Sequence, residues 1–192
     1  MIMVKHLVFV GSALLLAAAC SQNERNNYRK EPLSAVDSAA EKVVADSGKL
    51  VDRDSEFVTA VAISGMVEIK AGELAKKRST DTAIQNFGAL LIKQHQQLAK
   101  DLKATLSLRH FTLPEQLDTN QQQRLNELAT KSSQVFDQAF LQWMIEDHQK
   151  MVDWFSLQGS HAKDVQIQSF ANKNLPILKN HLLIAKELRK QK

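Results

Sequence analysis

The stretch Phe136–Phe155, FDQAFLQWMIEDHQKMVDWF, decides the fold. Stepping through it in threes and fours gives Asp137, Leu141, Met144, His148, Met151 and Phe155, flanked by Phe136, Phe140, Ile145 and Val152. This is an apolar stripe of helical period, wide enough to face a core. His148 sits in the middle of it. Three other predicted helices carry one ligand-type residue each in their seams: Glu68 beside Phe57, Val61, Ala71 and Ala75; His95 beside Ile84, Phe87, Leu91, Leu98 and Leu102; His181 beside Phe170, Leu178, Ala185 and Leu188.

Only 6 Gly and 3 Pro occur in 192 residues, while Ala, Leu, Gln, Lys and Glu are common, which is the usage of helices and not of a sandwich or barrel. The reading is all-α. Asp54-Ser55-Glu56 opens the first long helix and Lys76-Lys77-Arg78 closes it. Ser79-Thr80-Asp81 caps the second, which runs to about Leu108; so short a turn makes the two antiparallel neighbours. Thr112 to Asp118, around Pro114, is the longest connection. Thr119-x-x-Gln122 has the form of a capping box. A helix running unbroken from there to Leu157 would be about 57 Å long at 1.5 Å per residue, so a bend is expected near Lys131 to Gln134, where serines weaken it. Gly159-Ser160 ends that helix and caps the last, His161 to Lys190, which Pro176 should kink. Residues 54–192 thus read as an antiparallel four-helix bundle with a bent third helix.

The N-terminal region gives an address. Met1 to His6 carries one Lys, Leu7 to Leu16 is apolar, and Ala17-Ala18-Ala19-Cys20 is a small-residue cleavage site, so residues 1–19 read as a signal peptide. Cys20, the lone cysteine, leaves no internal disulfide and no cysteine-based zinc site. The segment resembles a bacterial lipoprotein signal, in which the cysteine becomes the lipidated first residue; Ser21 after it implies sorting to the outer membrane, with the domain in the periplasm. Residues 20–53 are polar and read as a tether with a reach of roughly 30 Å. The formal charge of +4 is modest, and its basic runs fall at helix C-termini, so nucleic acid is not an expected partner.

Chemistry is confined to the seams. Glu68, His95, His148 and His181, one from each of four helices, form the donor set of a transition-metal site for Zn, Cu or Fe, with Glu146 or Asp147 as the carboxylate behind an imidazole. Counted from the first turn, Glu68 and His95 differ in height by roughly 7 Å. The competing reading is a metal-free polar cluster in a non-catalytic module that meets another envelope component, and a third is that acid would charge the buried imidazoles and loosen the core. Ile92, Ile145 and Leu178 stand three residues before the histidines, so the Glu-x-x-His signature of di-iron bundles is absent. Trp143 and Trp154 read as packing anchors, or as a partner surface where exposed. No nucleophile with its base, phosphate loop or dinucleotide fingerprint is recognisable, and no catalytic residue is assigned.

Glu68 through Ala75, Lys93-Gln94-His95, Phe136 to Phe140 leading to Glu146-Asp147-His148, and Leu175-Pro176-Ile177-Leu178 leading to His181-Leu182 together resemble the bacterial domain-of-unknown-function family 4142. The resemblance spans about Asp54 to Leu188. It implies an exported or lipid-anchored protein with a ferritin-like four-helix bundle, and no set activity. The family commonly has Asp where this chain has Gln94 and Tyr where it has Phe140.

Overall fold

A computed structural model describes residues 50–192; the signal, Cys20 and nearly all of the tether lie outside the described residues. Five helices and no strand occur among the described residues: α1 Asp52–Arg78, α2 Thr82–Thr105, α3 Thr119–Thr130, α4 Ser133–His161 and α5 Val165–Lys190. None is long and apolar enough to cross a membrane. The expected bent third helix is two helices. Lys131 and Ser132 are both extended, with ψ of 147° and 157°, and the Arg78 guanidinium at the end of α1 donates to the Lys131 carbonyl at 2.6 Å. A side chain from a neighbouring helix thus satisfies a carbonyl that no longer serves an unbroken helix.

The helix starts follow side-chain geometry. Asp81 caps α2, its Oδ1 accepting from the amides of Ala83 and Ile84. Asp118, and not Thr119, closes the capping box on α3: its carboxylate accepts from the Gln121 amide while the Gln121 side chain accepts from the Asp118 amide. Asp164, and not Ser160, caps α5 through the amides of Gln166 and Ile167. In each case the aspartate stands where the free amides of the first turn point, and its charged acceptor suits the positive end of the helix. The last helix therefore begins four residues later than expected. Pro176 does not interrupt it.

α1 packs along α2 and α4 along α5, with α2 against α5 and α1 against α4; α3 lies across α1 and α4. The α1/α2 contact is close because Gly72 and Gly88 face each other. A Cβ on either would sit 2.6 Å from the other's carbonyl oxygen. Both glycines cost helix propensity, on the order of 1 kcal/mol each, and their value is the backbone approach that they permit. The opposite end of the domain is held by Asp54. Its buried Oδ2 accepts from the amides of Lys163 and Asp164, tying the start of α1 to the α4–α5 connection.

Apolar residues form two clusters. One gathers Phe57, Val61, Leu102, Phe155, Ile167 and Phe170, with the Phe57 and Phe155 rings edge to face at 4.9 Å. The other gathers Ala75, Ile84, Phe87, Phe136, Phe140 and Met144. Glu68, His95, His148 and His181 are buried where these clusters meet, so the core is two apolar halves separated by a polar layer.

Candidate metal centre

Each long helix contributes one member of that layer, and each member sits at a core-facing position of its own seam. Glu68, His148 and His181 are 0% exposed and His95 3%. One ligand atom from each lies within 4.8 Å of every other. The difference in height between Glu68 and His95 closes through side-chain direction. Helical side chains lean toward their own N-terminus, and in an antiparallel pair those leans bring Glu68 and His95 together.

His95 Nε2 approaches Glu68 Oε2 to 2.8 Å and His148 Nε2 approaches the same oxygen to 3.0 Å. Yet Glu68 Oε2 and both nitrogens of His95 have no aligned hydrogen-bond partner. The atoms converge without an N–H directed along the contact. His148 Nδ1 lies 2.8 Å from the Met144 carbonyl, which can only accept, so this nitrogen carries a proton and, in the neutral ring, Nε2 presents a lone pair inward. His181 Nε2 meets Gln94 Oε1, another acceptor, which leaves His181 Nδ1 as a lone pair 3.0 Å from His148 Nε2. With both rings neutral, two imidazole lone pairs and a carboxylate oxygen face one another at 3.0 Å, and either a proton on His148 Nε2, which its raised pKa favours, or a metal ion relieves that crowding. That arrangement calls for a cation.

Electrostatics agree. Burial pushes the Glu68 carboxyl up, but the adjoining His148 and His95 more than offset it and hold it well below the usual carboxylate range. His148 is lowered by burial and raised by Glu68, and the net direction is up. His181 is brought down to about 3 by burial and by its two imidazole neighbours. One imidazole beside the carboxylate favours a positive charge and the next resists a second one.

The donors suit a transition ion: three imidazole nitrogens and a carboxylate match zinc, copper or iron and not an all-oxygen cation. Adjacent ligands of a tetrahedral ion at 2.0–2.2 Å lie roughly 3.3–3.6 Å apart, so the contacts of 2.8–3.0 Å would open and the widest separation, up to 4.8 Å, would close by about 1 Å on binding. Glu68, His95, His148 and His181 are brought together. The two carboxylates expected behind the rings are not. Glu146 is exposed, pairing with Arg124 at 3.3 Å and accepting from Gln142, and Asp147 faces a groove without bonding to any ring. Their places are taken by the Met144 carbonyl, by Gln94, and by Ser64, whose hydroxyl donates to Glu68 Oε1 at 3.3 Å. Ser64 was discoverable, since it stands one turn before Glu68. Gln94 was not, because it serves a histidine on another helix.

A family model described as Domain of unknown function (DUF4142) matches residues 39–188. The chain belongs to this family. The position where DUF4142 proteins commonly have Asp is Gln94, and here it serves His181 and not the adjacent His95. A crystal structure of a DUF305 fragment from Deinococcus radiodurans is similar in fold, with a TM-score of 0.64 at 12% identity over 74% of this chain and 99% of that one. No curated protein matches the sequence. Trp143 is buried, with the Arg124 guanidinium 4.1 Å over its ring, whereas Trp154 is 41% exposed, and the two line one groove.

Proposed function

We propose that this DUF4142 chain is a lipid-anchored envelope protein whose domain is a ferritin-like four-helix bundle, built from α1, α2, α4 and α5 with α3 appended, that binds one transition-metal ion through Glu68, His95, His148 and His181. The observation that carries the metal reading is the convergence of four buried ligand atoms within 4.8 Å of one another, with His148 Nε2 and His181 Nδ1 turned inward 3.0 Å apart beside Glu68 Oε2. The outer nitrogens of both rings are committed to acceptors, so a shared cation relieves the repulsion that neutral imidazoles would keep. When bound, the ion supplies Lewis acidity or, for copper or iron, electron transfer; the chain's part is to hold four donors in a dry layer. With all four donors out of solvent, the site has the closed character of a structural or storage centre.

Support for the anchor lies in Leu7–Leu16 followed by Ala17-Ala18-Ala19-Cys20, with attachment to the outer membrane and the domain in the periplasm. The test of the metal site is elemental analysis of untagged chain produced by export, alongside His148→Ala. One ion per chain, lost in the variant while the helical circular-dichroism signal persists, is expected. A value near zero in a normally folded parent would leave the metal-free polar cluster as the reading. The anchor is tested by incorporation of labelled fatty acid, expected in the parent and abolished by Cys20→Ser.

A further inference from the structure

A site sealed this well needs a way in. Glu68, His148 and His181 expose nothing to solvent, so a hydrated ion cannot touch them without crossing a wall. One groove adjoins that wall. It is a cavity of about 530 Å³ between α1, α3 and α4, lined among others by Ala60, Ser64, Val67, Trp143, Asp147 and Trp154. Ser64 is the wall itself: its hydroxyl is hydrogen-bonded to Glu68 Oε1 at 3.3 Å, and behind it Glu68 Oε2 meets His95 and His148 at 2.8 and 3.0 Å. Asp147, next to His148 in sequence, brings a half-buried carboxyl to the groove, and no ion pair among the described residues engages it. A second groove, about 500 Å³ and lined by Ala62, Met66, Ala99 and Phe111, contains no residue bonded to the cluster.

Resting on the metal reading, we infer that the Trp143/Trp154 groove is the route by which a divalent cation reaches the cluster, with Asp147 as its outer capture site and Ser64–Glu68 as the hand-over point. A carboxylate in a partly apolar cleft focuses its field outward and raises the local concentration of cations. The Ser64–Glu68 bond is long, so it exchanges easily; when the Glu68 side chain turns, its carboxylate bridges groove and cluster. Two cations share the groove with Asp147: Arg124, held over Trp143 and by Glu146, and the exposed Lys150, whose charge an arriving ion has to pass.

The test is stopped-flow uptake of Co²⁺ by the exported full chain after chelator treatment, read from the cobalt absorption, with release followed on adding excess chelator. Asp147→Asn should slow uptake roughly ten-fold and weaken its salt dependence, with the final stoichiometry and spectrum unchanged. Ala60→Phe, which fills the groove away from the ligands, should slow uptake and release by one common factor of several-fold or more. Ala99→Phe in the second groove should change neither. Parent rates in both Asp147→Asn and Ala60→Phe, or slowing by Ala99→Phe alone, would overturn the route while leaving the site standing. A parent chain that takes up no Co²⁺ would overturn the site itself.

Discussion

His148 Nε2 and His181 Nδ1 face each other at 3.0 Å, and each ring directs its other nitrogen to an acceptor, the Met144 carbonyl and Gln94. Two rings from adjacent helices are thereby set in opposite tautomers. That relationship, and not the mere presence of histidines, makes the layer a receptor for positive charge.

Gln94 is therefore a positioning residue for His181. Gln94→Ala should weaken metal binding about 10- to 100-fold, because the ring loses the acceptor that fixes its tautomer. Gln94→Asp, the residue common at this place in the family, should tighten binding, since a carboxylate raises the basicity of the ligating nitrogen. Competition titration against a chelator of known affinity measures both. Equal affinities across the three chains would refute the assignment.

Acid should destabilise the chelator-treated protein in two steps. His181 is held at about 3 in the folded chain against 6.5 unfolded, so as pH falls below 6.5 the unfolded state binds a proton that the folded state refuses. Stability should fall by about 1.4 kcal/mol per pH unit through that window. Below 4.5 Glu68, whose pKa is depressed, adds a loss of the same sign. His148, whose pKa is raised, contributes stability present below 6.5 and lost as pH climbs through its folded value, so it adds no slope on the acid side. Urea unfolding between pH 4.5 and 7 should show the first step, and His181→Asn should flatten it.

The glycines of α1 differ in consequence. Gly72→Ala places a methyl 2.6 Å from the Gly88 carbonyl, which must push α1 from α2; a loss of about 1–3 kcal/mol is expected, with weakened metal binding because Glu68 and His95 lie on the two helices being separated. Gly65→Ala meets nothing nearer than His95 Nδ1 at 4.0 Å and should stabilise by roughly 0.5–1 kcal/mol through helix propensity. Thermal unfolding of the two variants should move in opposite directions.

Asp54→Ala removes a buried carboxylate that accepts two backbone amides from the α4–α5 connection. A loss of about 3 kcal/mol is expected from orphaning those amides, while Asp54→Asn, which keeps one acceptor, should cost less. Metal stoichiometry should be unchanged in both, since Asp54 lies at the far end of α1 from Glu68. Denaturant midpoints with parallel elemental analysis distinguish this from a role in the site.

Helix type, seam and ligand identity were legible because they are local: a period near 3.6 puts His148 between Met144 and Met151 whatever surrounds it. Caps were legible to within a residue or so at α3 and less well at α5. Thr119 and Ser160 have the right side chains, but Asp118 and Asp164 hold the stronger acceptor at the turn where free amides actually point. The break at Lys131–Ser132 was foreshadowed only as a bend, since the Arg78 guanidinium that completes it comes from 53 residues away.

By itself the sequence determined that the domain is helical, that four seams each carry one glutamate or histidine of a type able to bind metal, and that the chain belongs with DUF4142. Only the tertiary structure decided that those four side chains share one depth. That outcome depends on how closely Gly72 and Gly88 let two helices approach and on the opposed lean of Glu68 and His95. It also settled which acceptors the outer nitrogens of His148 and His181 face. Gln94 crosses to His181, and Ser64 separates Glu68 from the groove, because those contacts are made between or along helix faces whose facing directions no single period encodes.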